Sequence, residues 1–353
     1  MEGQPSSPEP NRHPSPTALD RRAVLIGAAA AAVGVLGYPL LRRLTRSNQP
    51  VFLARGLSYE GPLARTMRDG LLAVGFDPAS VDGRTVLLKP NLVEPTREAP
   101  HLTTHPAVVL AAVEVFRQWG AKVVVGEGSA HVRDTEMALV ESGLEEALRS
   151  EKLPFADLNY SPARPVANPR GLSSIDRFFF PREVLEADLI VSMPKLKTHH
   201  WVGLTAAMKN LYGLLPGTIY GWPKNVLHNA GIPETVVDIN AAAPRHIAIV
   251  DAVVCMEGDG PIMGTPKPMG LLAIGVNCTA VDATCARVVG LDPAKVPYLA
   301  LAAGRLGPIG EAEIVQRGER WQDLASPFKM VDAPHLREMQ AASEKTGAGL
   351  ISR

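Results

Sequence analysis

The sequence predicts an α/β fold: a mainly parallel sheet flanked by helices in Rossmann-like layers, preceded by an N-terminal hydrophobic helix. Three observations lead there. Between residues 84 and 149, short apolar runs alternate with helix-period segments, the β-α-β-α rhythm of a parallel sheet covered by helices. The strand-like runs, Val86-Leu87-Leu88 and Ile247-Ala248-Ile249-Val250 among them, carry almost no polar residues, so both their faces are buried. Apolar residues make up 46% of the chain and charged residues 20%, ordinary values for a domain with a substantial core.

The elements follow in order. Residues 1–20 form a disordered N-region, because five prolines in the first 18 residues leave little to bury. Residues 21–44 read as a signal or membrane anchor. Arg21-Arg22 precede Val24-Leu25 and an uncharged, Ala-rich run from Ala23 to Leu41, closed by Arg42-Arg43. That is the twin-arginine export pattern, and at 1.5 Å per residue the run spans about 28 Å, enough for a bilayer core. Arginines flank both ends, so loop charge does not set the orientation. The twin arginines place the domain at the cell membrane, facing the periplasm or exterior, with residues 23–41 as the membrane contact.

Residues 51–310 form the α/β domain and 311–353 a peripheral tail. Thr85–Leu88 is the first strand. Thr104-His105-Pro106 offers an N-cap and a first-turn proline for a helix that ends at Gly120. Ala121–Val125 is the second strand, and one helix runs from about Thr135 to Arg149. Residues 150–180 form an irregular insertion. Strands follow at Asp188–Met193, Arg245–Val254 and Leu271–Val276, the last leading into a helix over Thr279–Val289.

Lys plus Arg equals Asp plus Glu, 36 of each, and no basic stripe marks a nucleic-acid binder. Three cysteines, Cys255, Cys278 and Cys285, are too few and too far apart for a zinc ribbon or a ferredoxin-type cluster. The unusual residues gather instead just after the strands: Lys89-Pro90-Asn91, Gly126-Glu127-Gly128-Ser129, Lys195 to His200, Asp251, and Glu257-Gly258-Asp259. Ligands of open parallel sheets bind at that edge. Lys89, Lys195, Lys197 and Lys209, with Asn91, Thr198 and Asn210, supply donors for carboxylate or phosphate groups. Gly126 and Gly128 form either a turn or a phosphate cradle. Adjacent on a strand, His199 and His200 would face opposite ways, so at most one joins a given site unless the backbone is irregular. Glu127, Asp251, Glu257, Asp259 and Asp282 are counter-charges, or Glu257, Asp259 and Asp251 are oxygen ligands of a divalent metal.

These blocks resemble a known family, domain of unknown function 362. The resemblance is carried by Lys89-Pro90-Asn91-Leu92, Thr104-His105-Pro106, Pro194-Lys195-Leu196-Lys197-Thr198-His199, Lys209-Asn210-Leu211-Tyr212-Gly213, Asp251-Ala252 with Glu257-Gly258-Asp259-Gly260-Pro261, and Ala280-Val281-Asp282-Ala283. It covers about residues 84 to 310. Some members carry cysteine-rich iron-sulfur modules and many have twin-arginine leaders. This chain lacks the cluster cysteines, so no iron-sulfur cluster is expected.

Function is expected at the carboxyl edge of the sheet: binding or transforming a small anionic molecule, metal-assisted or not. His199, His228 and Lys197 are the catalytic candidates. The loop from Gly213 to Gly231 is long enough for a lid, with Tyr220 and Trp222 able to cover a ligand. The rival expectation is a non-catalytic, membrane-tethered accessory protein of an envelope redox complex, with a redox partner in place of an organised pocket.

Overall fold

The computed structural model describes residues 48–93, 96–131, 133–336 and 338–339. The disordered N-region, the twin-arginine pair and the apolar run 23–41 all lie outside the described residues. Among the described residues, no helix is long and apolar enough to cross a membrane.

Twelve strands are present among the described residues: β1 Gln49–Ala54, β2 Thr85–Lys89, β3 Lys122–Glu127, β4 Phe155–Asp157, β5 Ala163–Ala167, β6 Arg177–Pro181, β7 Leu189–Ser192, β8 Lys195–His199, β9 Gly203–Thr205, β10 His246–Glu257, β11 Thr265–Gly275 and β12 Ile314–Gly318. Ten of them build one sheet with the path β12-β1-β11-β10-β7-β2-β3-β4, and β8 and β9 branch from β10. From β10 through β7, β2 and β3 to β4 every pairing is parallel, which matches the expected layers. β11 departs from them, pairing antiparallel with both β10 and β1. The reason is the connection: residues 258–264 join β10 to β11 directly, too short for the crossover that a parallel neighbour needs.

Each face of the sheet has its own apolar layer. Val86, Leu88, Ile247 and Ile249 pack with Met67, Val108, Val109 and Phe116. Leu87, Ala248 and Val250 point the other way, toward Phe178, Phe180, Val236 and Val281. The two-residue period of a strand sorts neighbours between the layers.

Several expected elements shift. The helix after β2 spans Pro106–Gln118, but its N-cap is His105, whose Nδ1 accepts the Ala107 N–H at 3.2 Å. Thr104 is drawn inward instead; its hydroxyl donates to the Met193 carbonyl at 2.6 Å and accepts the Asn91 N–H at 2.8 Å. The helix expected over 135–149 breaks at Gly143, φ 74°, into Thr135–Ser142 and Leu144–Ser150. The supposed irregular insertion holds β4 and the β5–β6 hairpin. The tail is not peripheral throughout: β12 pairs with β1 at the sheet edge, and Trp321 and Phe328 are buried in the core.

Two local features aim residues at the carboxyl edge. Pro194 lacks an N–H and ends the β7 pairing. The chain then resumes as β8 alongside the far part of β10, with Lys195 opposite Asp251 and Lys197 opposite Met256. The short helix Ala207–Asn210 is held by Asp282 of the helix Cys278–Val288. Its buried carboxylate accepts the N–H groups of Ala207 at 2.7 Å and Met208 at 3.0 Å, and the Tyr298 hydroxyl at 3.0 Å. Asp282 is therefore an anchor for the backbone that carries Lys209, and does not act as a counter-charge in a ligand site. Asp282→Ala strands three buried donors and should cost roughly 3–5 kcal/mol in urea unfolding, with loss of any ligand-induced stabilisation.

Candidate functional site

A cavity of about 380 Å³ opens above the carboxyl ends of β2 and β3, walled by β8, β9 and the segment from Lys209 to His228. Its size suits a small molecule. Lys89, Asn91, Glu127, Gly128, Lys197, His199, His200, Lys209, Asn210, Lys224 and His228 contribute to its lining. Trp201 and Met263 add exposed apolar surface.

Four lysines meet here, all 9% exposed or less. Lys89 ends β2 and its ammonium contacts Glu127 Oε2 at 2.5 Å, Asn210 Oδ1 at 3.1 Å and the Pro90 carbonyl at 2.7 Å. Gly213 packs on this pair so closely that a Cβ there would lie 2.0 Å from Glu127 Oε1 and 2.6 Å from Lys89 Nζ. Only glycine fits. Lys197 donates to the carbonyls of Leu102 and Pro261. Burial first, and the Lys195 charge second, lower its pKa to about 7. Lys209 is lowered to about 7 by burial and by the Lys89 charge. Its Nζ sits 3.5 Å from the Tyr212 ring centre. Lys224 is likewise lowered to about 7, mostly by burial. It donates to Asn159 Oδ1 at 3.0 Å and to the Leu215 carbonyl, from a left-handed backbone with φ 69° that an L-residue seldom adopts.

The two histidine candidates present opposite edges. His199 Nδ1 accepts the Trp201 N–H at 3.1 Å, so the neutral ring carries its proton on Nε2. His228 Nδ1 lies 3.0 Å from the Lys224 carbonyl, which can only accept, so its Nε2 holds the lone pair. Burial and the Lys209 charge keep His199 well below its ordinary value and lower His228 to about 4. One ring is then a donor and the other an acceptor at neutral pH. His200 also lines the cavity, because β8 ends at His199 and the strand alternation stops with it.

Other expected site residues lie elsewhere. Lys195 and Asp251 are fully buried and pair at 2.6 Å. Tyr59 accepts from Lys195 at 2.8 Å and donates to Asp251 at 3.3 Å, and the His105 N–H completes the carboxylate at 3.0 Å. Neither lines the cavity, since the network satisfies both. Thr198 points off the opposite face of β8 and donates to the Gly258 carbonyl at 2.9 Å. Gly126 packs inside β3 against Leu87 and Ala156. Gly128 reaches the cavity, but its N–H donates to the Gly213 carbonyl at 2.9 Å, so the glycine pair is no phosphate cradle. Glu257 is taken by Lys267 Nζ at 3.2 Å and the Lys329 N–H at 3.0 Å. Asp259, by contrast, does line the cavity, as an exposed carboxylate 3.6 Å from His200 Nδ1. Glu257, Asp259 and Asp251 therefore do not converge, and no group of three His, Cys, Asp or Glu among the described residues could hold a metal. Tyr220 and Trp222 do not cover the cavity: the Tyr220 oxygen accepts the Phe179 N–H at 2.8 Å, and Trp222 packs over Gly217.

Residues 86–287 match the family described as domain of unknown function (DUF362). The chain belongs to this family. The cavity residues, from Lys89 to Met263, fall within the matched span of domain 362. A thylakoid-associated protein of Synechocystis sp. is 31% identical over 261 residues, 73% of this chain and 79% of that protein. The lactate racemase apoprotein from Thermoanaerobacterium thermosaccharolyticum is similar with a TM-score of 0.43 and 13% identity, over 69% of this chain and 58% of that one. The match thus spans under two thirds of that chain's length.

Several contributors to the domain 362 cavity escaped the sequence reading: His131, Trp201 and Lys224 in its lining, and Asn159 behind Lys224. Lys224 sits in a loop with no periodicity to place it. Asn159 receives the Lys224 ammonium and the Gly217 N–H at 2.8 Å on Oδ1 and donates to the Ser129 carbonyl at 3.0 Å, tying the wall to β3. Nothing local marks it.

The lowered lysines set a pH dependence. Between about pH 7 and 9 the unfolded chain keeps protons that the folded lysines release, so stability rises with pH across that window. Above it the buried thiols, whose pKa values burial raises, act in the opposite sense. Lys209→Met should raise the Tm at pH 7 by roughly 3 °C and flatten the rise, as read by calorimetry at pH 7, 8 and 9. An unchanged slope would place the Lys209 proton elsewhere.

Proposed function

We propose that this domain binds a small multivalent anion in the cavity, with Lys197, Lys209 and Lys224 as its cationic wall and His199 and His228 as donor and acceptor. One observation carries the reading: four buried lysines share the cavity with a single buried carboxylate, Glu127, already paired to Lys89. Buried ammonium groups are costly without counter-charge, and an anion supplies it. The His228 Nε2 lone pair and the His199 Nε2–H are placed for moving a proton and for steadying developing negative charge, which extends the reading from binding to acid–base chemistry. No step here requires a metal.

We further propose that the domain is carried at the membrane by residues 23–41, facing the periplasm or exterior. The twin-arginine pattern supports this, as does the thylakoid association named for the relative. The accessory-protein alternative has the same membrane support, but a built cationic cavity favours ligand binding over it.

Titration calorimetry with phosphate, pyrophosphate, oxalate and citrate tests the site. At least one should bind, with proton uptake at pH 8 as the anion raises the lysine pKa values. Lys197→Met should weaken it at least about tenfold, the scale of one lost charge-assisted contact. Heat from none of the four at millimolar concentration would sink the reading. For location, the full-length protein should stay with membranes after an alkaline wash and yield to protease added from the periplasmic side. Recovery in the soluble fraction would defeat the anchor.

A further inference from the structure

Lys209 differs from its three neighbours. Lys89 donates to Glu127, Lys197 to two backbone carbonyls, and Lys224 to Asn159 and a carbonyl. Among the described residues the Lys209 amine meets no acceptor oxygen; its contact is the face of Tyr212 at 3.5 Å. The residue is 9% exposed and lines the cavity. An ammonium in such a place has no acceptor oxygen and little access to water, whereas a neutral amine there costs far less and is a nucleophile.

Its surroundings suit a carbonyl compound. The Lys197 ammonium lines the same cavity and is a partner for a carboxylate. His199 offers its Nε2–H to an oxygen. The His228 ring lies 5.6 Å from the Tyr212 ring, on which Lys209 rests. Of the neighbouring charges on both histidines, that of Lys209 weighs most. The Thr205 hydroxyl and the Asn91 Oδ1, both in the cavity lining, are buried without hydrogen-bond partners, so polar groups remain for a substrate to engage.

We propose that Lys209 forms an imine with a small carboxylate-bearing carbonyl compound, a 2-oxo acid or an aldehyde acid. The inference rests on the anion-binding reading and names the substrate class for that cavity. The Nζ lone pair attacks the carbonyl carbon while the His199 Nε2–H steadies the oxyanion. His228 Nε2 relays the two nitrogen protons to that oxygen. The C–O bond breaks, water leaves, and the C=N bond forms. Amine plus carbonyl gives imine plus water, with no oxidation or reduction. A pKa of about 7 leaves much of the amine neutral near physiological pH.

The test uses the full-length protein with glyoxylate, pyruvate or succinic semialdehyde, followed by borohydride, intact mass measurement and peptide mapping. The expected result is one reduced adduct per chain, on the peptide carrying Lys209, with at least one of the three. Lys209→Arg should abolish it, and Lys295→Arg, at a surface ion pair with Glu338 away from the cavity, should not. Mapping the adduct in the unsubstituted protein locates it even if a variant fails to fold. No adduct from any probe, or labelling scattered over exposed lysines, overturns the imine. If phosphate or oxalate still binds in that case, the anion site stands and only the imine falls; if no anion binds either, both fall.

Discussion

Four lysine ammonium groups occupy one cavity that contains a single buried carboxylate, and most of the surrounding architecture answers that constraint. The Lys89–Glu127 pair is packed against Gly213, where a side chain would displace it. Lys197 and Lys224 are met by carbonyl and amide oxygens. These dipoles ease burial without cancelling charge, so three lysines stay near pKa 7. A core of the same volume lined with apolar residues would be cheaper to fold. That residual cost is what the proposed anion would relieve.

The strand β8 divides its polar residues by two means. Its alternation puts Lys195, Lys197 and His199 on one face and Leu196 and Thr198 on the other. Distance along the strand then separates Lys195, which falls beside Asp251 on β10, from Lys197, which passes the end of that network and enters the cavity. Two lysines two residues apart thus do different work: one closes a satisfied buried ion pair, the other is left for a ligand.

The histidines gain their roles from the backbone. A peptide N–H fixes one edge of His199 and a carbonyl fixes the corresponding edge of His228, so the free edges are complementary. Asp282 acts at longer range, holding the helix of Lys209 from a different helix. It belongs to the family blocks that resemble domain 362, yet its place is structural.

The sequence by itself determined the layered α/β class, the domain 362 family and the edge of the sheet where polar residues collect, because apolar periodicity and strand-end composition are local properties. It also placed Lys89, Asn91, Lys197, His199, Lys209, Asn210 and His228 among the site candidates, and all seven line the cavity. Only the tertiary structure decided which charges pair. Asp251, Glu257 and Lys195 look identical in sequence to site residues, but each meets its partner across strands or loops far apart in the chain. Asn159 and Lys224 are likewise joined across 65 positions, but that bond holds Lys224 in the cavity wall. Long-range pairing takes some polar groups out of the site and fixes others within it, and no local pattern of the sequence carries that information.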